Sequence, residues 1–196
     1  MRKLAALTFQ TLDGVIQSPG TPEEDPSGGF RQGGWASSYW DKVMPQVKQE
    51  AMSEPYDILL GRKTYEIFAA YWPHVDENTS VAAILNNSKK YVVTSTLDKL
   101  EWKNSVRISG DIKKEISKLK EQEGPLLQIH GSGLLIQELK DLIDEFRLWT
   151  FPIVVGKGKR LFEQDMPPSC FRLEKAEVLP CGVIMSIYQT RNLHKP

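Results

Sequence analysis

Two segments of the 196-residue chain put phosphate-binding residue types where a strand meets a helix. In Leu59-Leu60-Gly61-Arg62-Lys63-Thr64 an apolar run passes through glycine into two cations and a hydroxyl. A helix that starts there turns its free N–H groups and both positive side chains toward one point, which suits an anion. It is not a Walker loop, because Tyr56 stands where that loop has its first glycine. Two cations also oppose the macrodipole at a helix start, so they favour a bound counter-charge over the alternative of a solvated basic turn. Ile129-His130-Gly131-Ser132-Gly133-Leu134 repeats the arrangement, with glycines that would let the backbone approach a pyrophosphate. Ile136 replaces the third glycine of a dinucleotide fingerprint, so a tight turn without ligand stays open as the other reading.

Weaker signals surround these two. Thr94-Ser95-Thr96 offers hydroxyls after an apolar run, as turn formers also do. Gly156-Lys157-Gly158-Lys159-Arg160 is a basic, glycine-rich turn that reads equally as a solvated loop. Asp13-Gly14 is either a plain turn or an acid at the floor of a ligand cleft. His130 is either a substrate contact or proton carrier, or a satisfied histidine at a strand end. Three histidines and two separated cysteines supply no metal-ligand spacing, and no nucleophile elbow is present.

The elements that must position these residues alternate. Apolar strands are expected at 3–9, 56–60, 90–93, 106–108, 126–129, 146–151, 171–178 and 183–188, the last two as a hairpin. Helices are expected from Ser37 or Ser38 as cap, with Pro45 forcing a kink or late restart, and from Gly61 toward Trp72. Two more follow Asp111 and Gly133. Strand and helix in alternation, closed by a hairpin, predict an α/β domain with a mixed, mainly parallel sheet flanked by helices. Ligands of such sheets collect beyond the carboxyl ends of the strands, where the unusual residues fall. Between Ser18 and Gly34 the chain is rich in Gly and Pro, with Glu23, Glu24 and Asp25 among them, so residues 18–34 read as a mobile loop able to act as a lid.

Composition narrows the function. Lys plus Arg and Asp plus Glu are 25 each, so no surplus of positive charge is available for a nucleic acid. With 40% hydrophobic and 26% charged residues the chain is globular, and its length fits one domain over 1–196 at ~100 to 200 residues per domain. The apolar run Leu4 to Leu7 is too short for a signal peptide and no run spans a membrane, so no membrane partner is expected and the cytoplasm is the expected location. Cys170 and Cys181 flank a strand and its turn, too far apart for a disulfide.

Asp13-Gly14-Val15-Ile16, Leu60-Gly61-Arg62-Lys63-Thr64-Tyr65-Glu66, Tyr71-Trp72-Pro73, Tyr91-Val92-Val93-Thr94-Ser95, His130-Gly131-Ser132-Gly133-Leu134 and Pro152 to Gly158 with Arg160-Leu161-Phe162 occur in the order seen in one family. Together they resemble the dihydrofolate-reductase-like family typified by the C-terminal reductase domain (RibD type) of bacterial riboflavin biosynthesis, a 5-amino-6-(5-phosphoribosylamino)uracil reductase. The pattern is closer to the family's stand-alone branch, since there is no room for the deaminase domain that biosynthetic members carry. The resemblance implies a reductase using NADPH, whose phosphates would meet Gly61, Arg62, Lys63 and Thr64 and the backbone of Gly131, Ser132, Gly133 and Leu134. Thr94 and Ser95 would lie at its adenosine side. A small heterocyclic or ribosyl-pyrimidine-like substrate would meet Asp13, Gly14, Arg31, Trp35, His130 and Pro152, with Asp13 as polar anchor or proton relay. Where biosynthetic members carry an acidic residue that helps hold the substrate ribose, this chain has His130. Two alternatives stand beside this: a dihydrofolate reductase, for which Asp41 is the nearby acid, and a non-catalytic NADP-binding regulatory module. A homodimer is expected, on the premise that strand 146–151 lies near a sheet edge and that relatives pair.

Overall fold

A computed structural model describes residues 1–76, 78–162 and 168–191. Among these residues eight strands form one sheet in the order β4-β3-β2-β5-β1-β6-β8-β7. They are β1 (Leu4–Thr11), β2 (Tyr56–Gly61), β3 (Lys90–Val93), β4 (Ser105–Ile108), β5 (Leu126–His130), β6 (Glu145–Phe151), β7 (Cys170–Val178) and β8 (Ile184–Arg191). From β4 across to β6 every pairing is parallel, whereas β8 runs antiparallel to both β6 and β7. A central parallel strand is covered on both faces, so it reads as a continuous apolar run. Leu4, Ala5, Ala6 and Leu7 of β1 are accordingly all buried.

Among the described residues five α-helices flank the sheet: α1 (Trp40–Ala51), α2 (Arg62–Tyr71), α3 (Ser80–Asn87), α4 (Ile112–Glu121) and α5 (Gly133–Glu138). Val43 and Val47 of α1 pack on Leu7, Trp149 and Met185, while Tyr65 of α2 and Val81 and Leu85 of α3 pack on Ile58 and Leu60 of the same sheet face. On the opposite face Ile116 and Leu119 of α4 and Leu135 and Ile136 of α5 cover Leu4, Ala6, Leu59 and Ile129.

Three expectations need correction. Neither serine caps α1: a 3₁₀ turn over Ser37–Tyr39 leads into it, and no side chain closes the start at Tyr39. The helix then continues through Pro45 to Ala51 without a restart, because its buried residues Val43, Gln46, Val47 and Ala51 tie both halves to the sheet. Strand β6 is interior, between β1 and β8, and the sheet's edges are β7 and β4. Helix α3 was not expected at all, although Val81 and Leu85 stand one turn apart.

Lys90 at the start of β3 is fully buried without a carboxylate. Its Nζ donates to Leu85 O at 2.8 Å, Asn86 O at 3.1 Å and Ser88 O at 2.8 Å, and lies 4.2 Å from the Trp102 ring centroid. The ammonium thus takes up the unpaired carbonyls at the end of α3, where the macrodipole is negative. Burial pulls its pKa down to about 8.

Candidate functional site

Strands β2 and β5 are parallel neighbours, so the turns that follow them lie side by side. Gly131 and Ser132 both adopt left-handed backbone, at φ 57° and 55°. That conformation aims the Ser132 hydroxyl across to β2, where Oγ accepts from Gly61 N at 3.0 Å and donates to Thr64 Oγ1 at 2.8 Å. One side chain therefore joins the two turns singled out in the sequence. Beside this junction Gly133 lies close to Ile16: a Cβ there would stand 2.8 Å from Ile16 Cδ1, so the tip of that side chain would have to move.

The start of α2 is left open. Gly61 is extended, no side chain caps the helix, and its first turn holds no acid. The first N–H groups of an α-helix have no partner within it, and here Arg62 and Lys63 flank them as exposed cations. Arg62 is half-exposed and shares its charge with Glu66 at 3.2 Å. The contrast with α4 is informative, since Asp111 closes that start by accepting from Lys114 N at 3.1 Å.

Thr94 and Ser95 follow β3, the strand beside β2. The Thr94 hydroxyl is engaged in its own turn, accepting from Thr96 N at 3.2 Å and Leu97 N at 3.1 Å, whereas Ser95 is exposed. Sequence reasoning missed Arg107. From β4 it donates to Thr94 O and Ser95 O, each at 3.3 Å, and lies 3.7 Å from Asp98, which brings a third cation, partly balanced, to this end of the sheet. A lone arginine within a short apolar strand carries no signal until the strand order places it.

The proposed substrate residues divide. Asp13 accepts from Thr11 Oγ1 at 2.6 Å, Gly156 N at 2.8 Å and Val155 N at 3.3 Å, with Arg160 at 3.4 Å. The Thr11 bond first, then the backbone bonds, hold its carboxyl below the ordinary value. Gly14 turns at φ 80° and its carbonyl accepts from Leu161 N at 3.1 Å. Arg31 and Pro152 are exposed. Trp35 belongs to the core, edge-on to Phe151 at 5.3 Å, with its indole N–H on Gln17 O at 2.8 Å. His130 is buried as well. It stacks on Tyr56 at 5.5 Å, meets Phe68 edge-on and pairs with Gln128 Oε1 at 3.1 Å, and burial lowers its pKa to about 4.

Residues 18–34 are docked as a strap. Gln17 Nε2 donates to Asp25 O and Ser27 O, and its Oε1 accepts from Lys159 N. Lys159 Nζ pairs with Asp25 at 2.5 Å, and Arg160 donates to Asp13 O at 3.0 Å. The basic turn thus spends Lys159 and Arg160 on the protein's own acids. Beyond the strap, half-buried Phe9, Trp40, Met44 and Phe68 gather where α1 and α2 meet the sheet, with Phe9 edge-on to Trp40 at 5.0 Å. Met44 packs against the apolar clusters beneath both helices. Asp41 is exposed on α1, outside that helix's buried stripe.

A mainly parallel sheet with its glycine turns at one end and an antiparallel hairpin at its side defines a dihydrofolate-reductase-like protein. The chain belongs to the RibD C-terminal domain family, whose model matches residues 2–185. It is 29% identical over 136 residues to the uncharacterized protein YyaP of Bacillus subtilis, covering 67% of this chain and 72% of that one. It is 27% identical over 122 residues to the uncharacterized YwjB of the same organism, covering 60% and 64%. The fold matches a putative riboflavin biosynthesis protein from Shewanella sp. PV-4 with TM-score 0.67 and 18% identity, over 97% of this chain and 99% of that one. It also matches Enterococcus faecalis dihydrofolate reductase, solved with NADP(H), with TM-score 0.62 and 16% identity over 97% of both chains.

Proposed function

We propose that the chain is an NADPH-dependent reductase that transfers hydride to a small, flat heterocycle of the ribosyl-pyrimidine kind. The observation that carries the reading is the open start of α2 beside the 131–133 turn: uncapped N–H groups, Arg62 and Lys63, and a second glycine turn held against the first by Ser132. These residues fit a pyrophosphate, since glycine leaves the approach clear and the local charge is positive. Arg107 and Ser95 stand where the adenosine side would lie, and Thr94 shapes their turn.

When bound, NADPH supplies the hydride; the chain's part is to orient it, stack the acceptor ring and exclude water. Phe9, Trp40 and Phe68 offer faces and edges for a flat ring. Arg31 on the strap and Pro152 after β6 are the exposed candidates to contact it. Trp35 and His130 support this region from within the core, and Asp13 acts as a clasp between β1 and the 155–160 turn. The proton that balances the hydride would come from water in this scheme, because Asp13 is held ionised and His130 neutral. Dihydrofolate reduction is not favoured, because Asp41 lies outside the buried stripe of α1.

Quenching of the five tryptophans by NADPH tests the cofactor half. Saturable binding with a dissociation constant below about 100 μM is expected from a cradle of this kind, a binding free energy beyond about −5 kcal/mol. No saturable quenching up to millimolar NADPH overturns the reading.

A further inference from the structure

We infer that the phenol hydroxyl of Tyr56 holds a carbonyl oxygen of the acceptor ring at the deep end of the cleft between α1 and α2, an assignment that rests on the reductase reading above. Tyr56 begins β2 and is 4% exposed, yet its hydroxyl meets no hydrogen-bond partner among the described residues. Other buried tyrosine and tryptophan groups are paired. Tyr65 Oη accepts from Trp102 N at 3.1 Å, and the indole N–H groups of Trp35, Trp102 and Trp149 donate to Gln17 O, Asn86 Oδ1 and Gln46 Oε1. A buried hydroxyl without a partner costs stability, so its presence calls for a partner from outside the chain.

The surroundings of Tyr56 direct that hydroxyl to the cleft. Tyr56 stands opposite Leu126 in the register of β2 and β5, and His130 is four residues beyond Leu126, about 13 Å along the strand. The two rings nevertheless stack at 5.5 Å with 25° between their planes. His130 leans back to Gln128 Oε1 at 3.1 Å, and the Tyr56 ring leans forward, toward the carboxyl ends of the strands, with the hydroxyl as its leading tip. Phe68 of α2 meets the same histidine edge-on at 6.5 Å, and Tyr56 belongs to the apolar cluster on which Met44 of α1 and Phe68 pack. Both of these covering residues are half-buried. A methionine repacks easily, so a flat ring entering between α1 and α2 can displace Met44 and reach the hydroxyl.

Three further buried polar atoms lack partners among the described residues, and none is placed in this way. Thr8 alternates with Leu7 and so faces the α4 and α5 side of the sheet. Gln46 is already held by Trp149 of β6, and Ser105 lies on the edge strand β4.

Burial pushes the Tyr56 phenol above its ordinary value, so it stays a donor at physiological pH. A fixed donor accepts a carbonyl oxygen and rejects an N–H in the same place, because two donors would then face each other away from water. Where the carbonyl is conjugated with the carbon that takes the hydride, negative charge grows on its oxygen in the transition state and the hydrogen bond strengthens. The phenol keeps its proton; the carbon gains the hydride and water supplies the balancing proton. Flat rings with a carbonyl on the buried edge, pyrimidinediones among them, are the class this selects.

Uracil, which carries carbonyl oxygens, and toluene, a ring of similar size without them, are suitable probes. Their dissociation constants for the full chain without NADPH are read by ligand-observed NMR up to about 5 mM. Tyr56→Phe should weaken uracil by about fivefold or more and leave toluene within about twofold. Its thermal midpoint should equal or exceed that of the wild type, since no bond within the fold is lost. Tyr65→Phe removes the acceptor of Trp102 N and should do the reverse, lowering the midpoint and leaving uracil within about twofold. Uracil that fails to bind the wild type, or binds Tyr56→Phe equally well, overturns the inference. So does a Tyr56→Phe protein that melts earlier or does not fold, because the hydroxyl then has a partner inside the chain. NADPH quenching is followed on the same proteins and should not change with Tyr56→Phe. A wild type that discriminates uracil through Tyr56 but binds no NADPH would sink the cofactor reading and leave the Tyr56 assignment standing.

Discussion

The carboxylate of Asp13 is met by Thr11, Gly156 and Val155, with Arg160 beyond them, so its lone pairs are already committed. Its lowered pKa means that it adds stability above the ordinary carboxylate value, which is lost as pH falls through the folded value. His130 follows the other sign rule. Its pKa is 6.5 unperturbed and about 4 when folded, so between these values the unfolded chain binds the extra proton. Stability should therefore fall by about 3 kcal/mol as pH drops from 6.5 to 4. In His130→Gln that part of the loss should vanish; urea titrations of both proteins across the window would measure it, and parallel curves would exclude a buried neutral imidazole. Ser132→Ala leaves Gly61 N without its acceptor and separates the two turns. It should cost about 1 to 2 kcal/mol of unfolding free energy, as for a lost partner of a partly buried donor. A cost below about 0.3 kcal/mol would mean that the hydroxyl holds nothing together.

Among the elements, α2 and α4 differ in how they begin, and the difference was half visible in advance. Asp111 as a cap was legible because an acid before an apolar repeat satisfies the helix locally. Gly61 before two cations was legible as an anomaly for the same reason. The strap was legible as a long glycine- and proline-rich loop, but not its docking, because Asp25 and Lys159 lie 134 residues apart in the chain. Helix α3 is stabilised at its end by Lys90, a local contact to carbonyls two to five residues back in the chain. The pKa of Lys90 falls from 10.5 to about 8, so the folded chain releases its proton before the unfolded one does. Wild-type stability relative to Lys90→Met should rise by about 1 kcal/mol per pH unit from pH 8 toward 10.5. Thermal melts of both proteins at pH 7.5, 9 and 10 would read the trend, and a difference that stays constant would mean that the ammonium keeps its proton throughout.

At the scale of the whole molecule the net charge of zero hides an uneven distribution. The sequence shows cations at Arg62-Lys63 and at Lys157-Lys159-Arg160, and both groups read as places for a polyanion. Folding separates them. Lys159 and Arg160 pair with Asp25 and Asp13, while Arg62, which shares its charge with Glu66, and Lys63 stay at an open helix start, with Arg107, itself 3.7 Å from Asp98, on the far side of β3. Phe171, Leu173, Ala176 and Val178 come to share one side of the hairpin only through the bulge between Leu173 and Lys175, which interrupts the alternation in the sequence. By itself the sequence determined the α/β class, most strands, the Asp111 cap and the two glycine turns, because each depends on residues within about one element of each other. Only the tertiary structure decided that β2 and β5 are neighbours, that Ser132 joins their turns, and that Asp13, Trp35 and His130 are occupied by the protein itself. Those facts rest on contacts between residues far apart in the chain, and their geometry is fixed by the strand order.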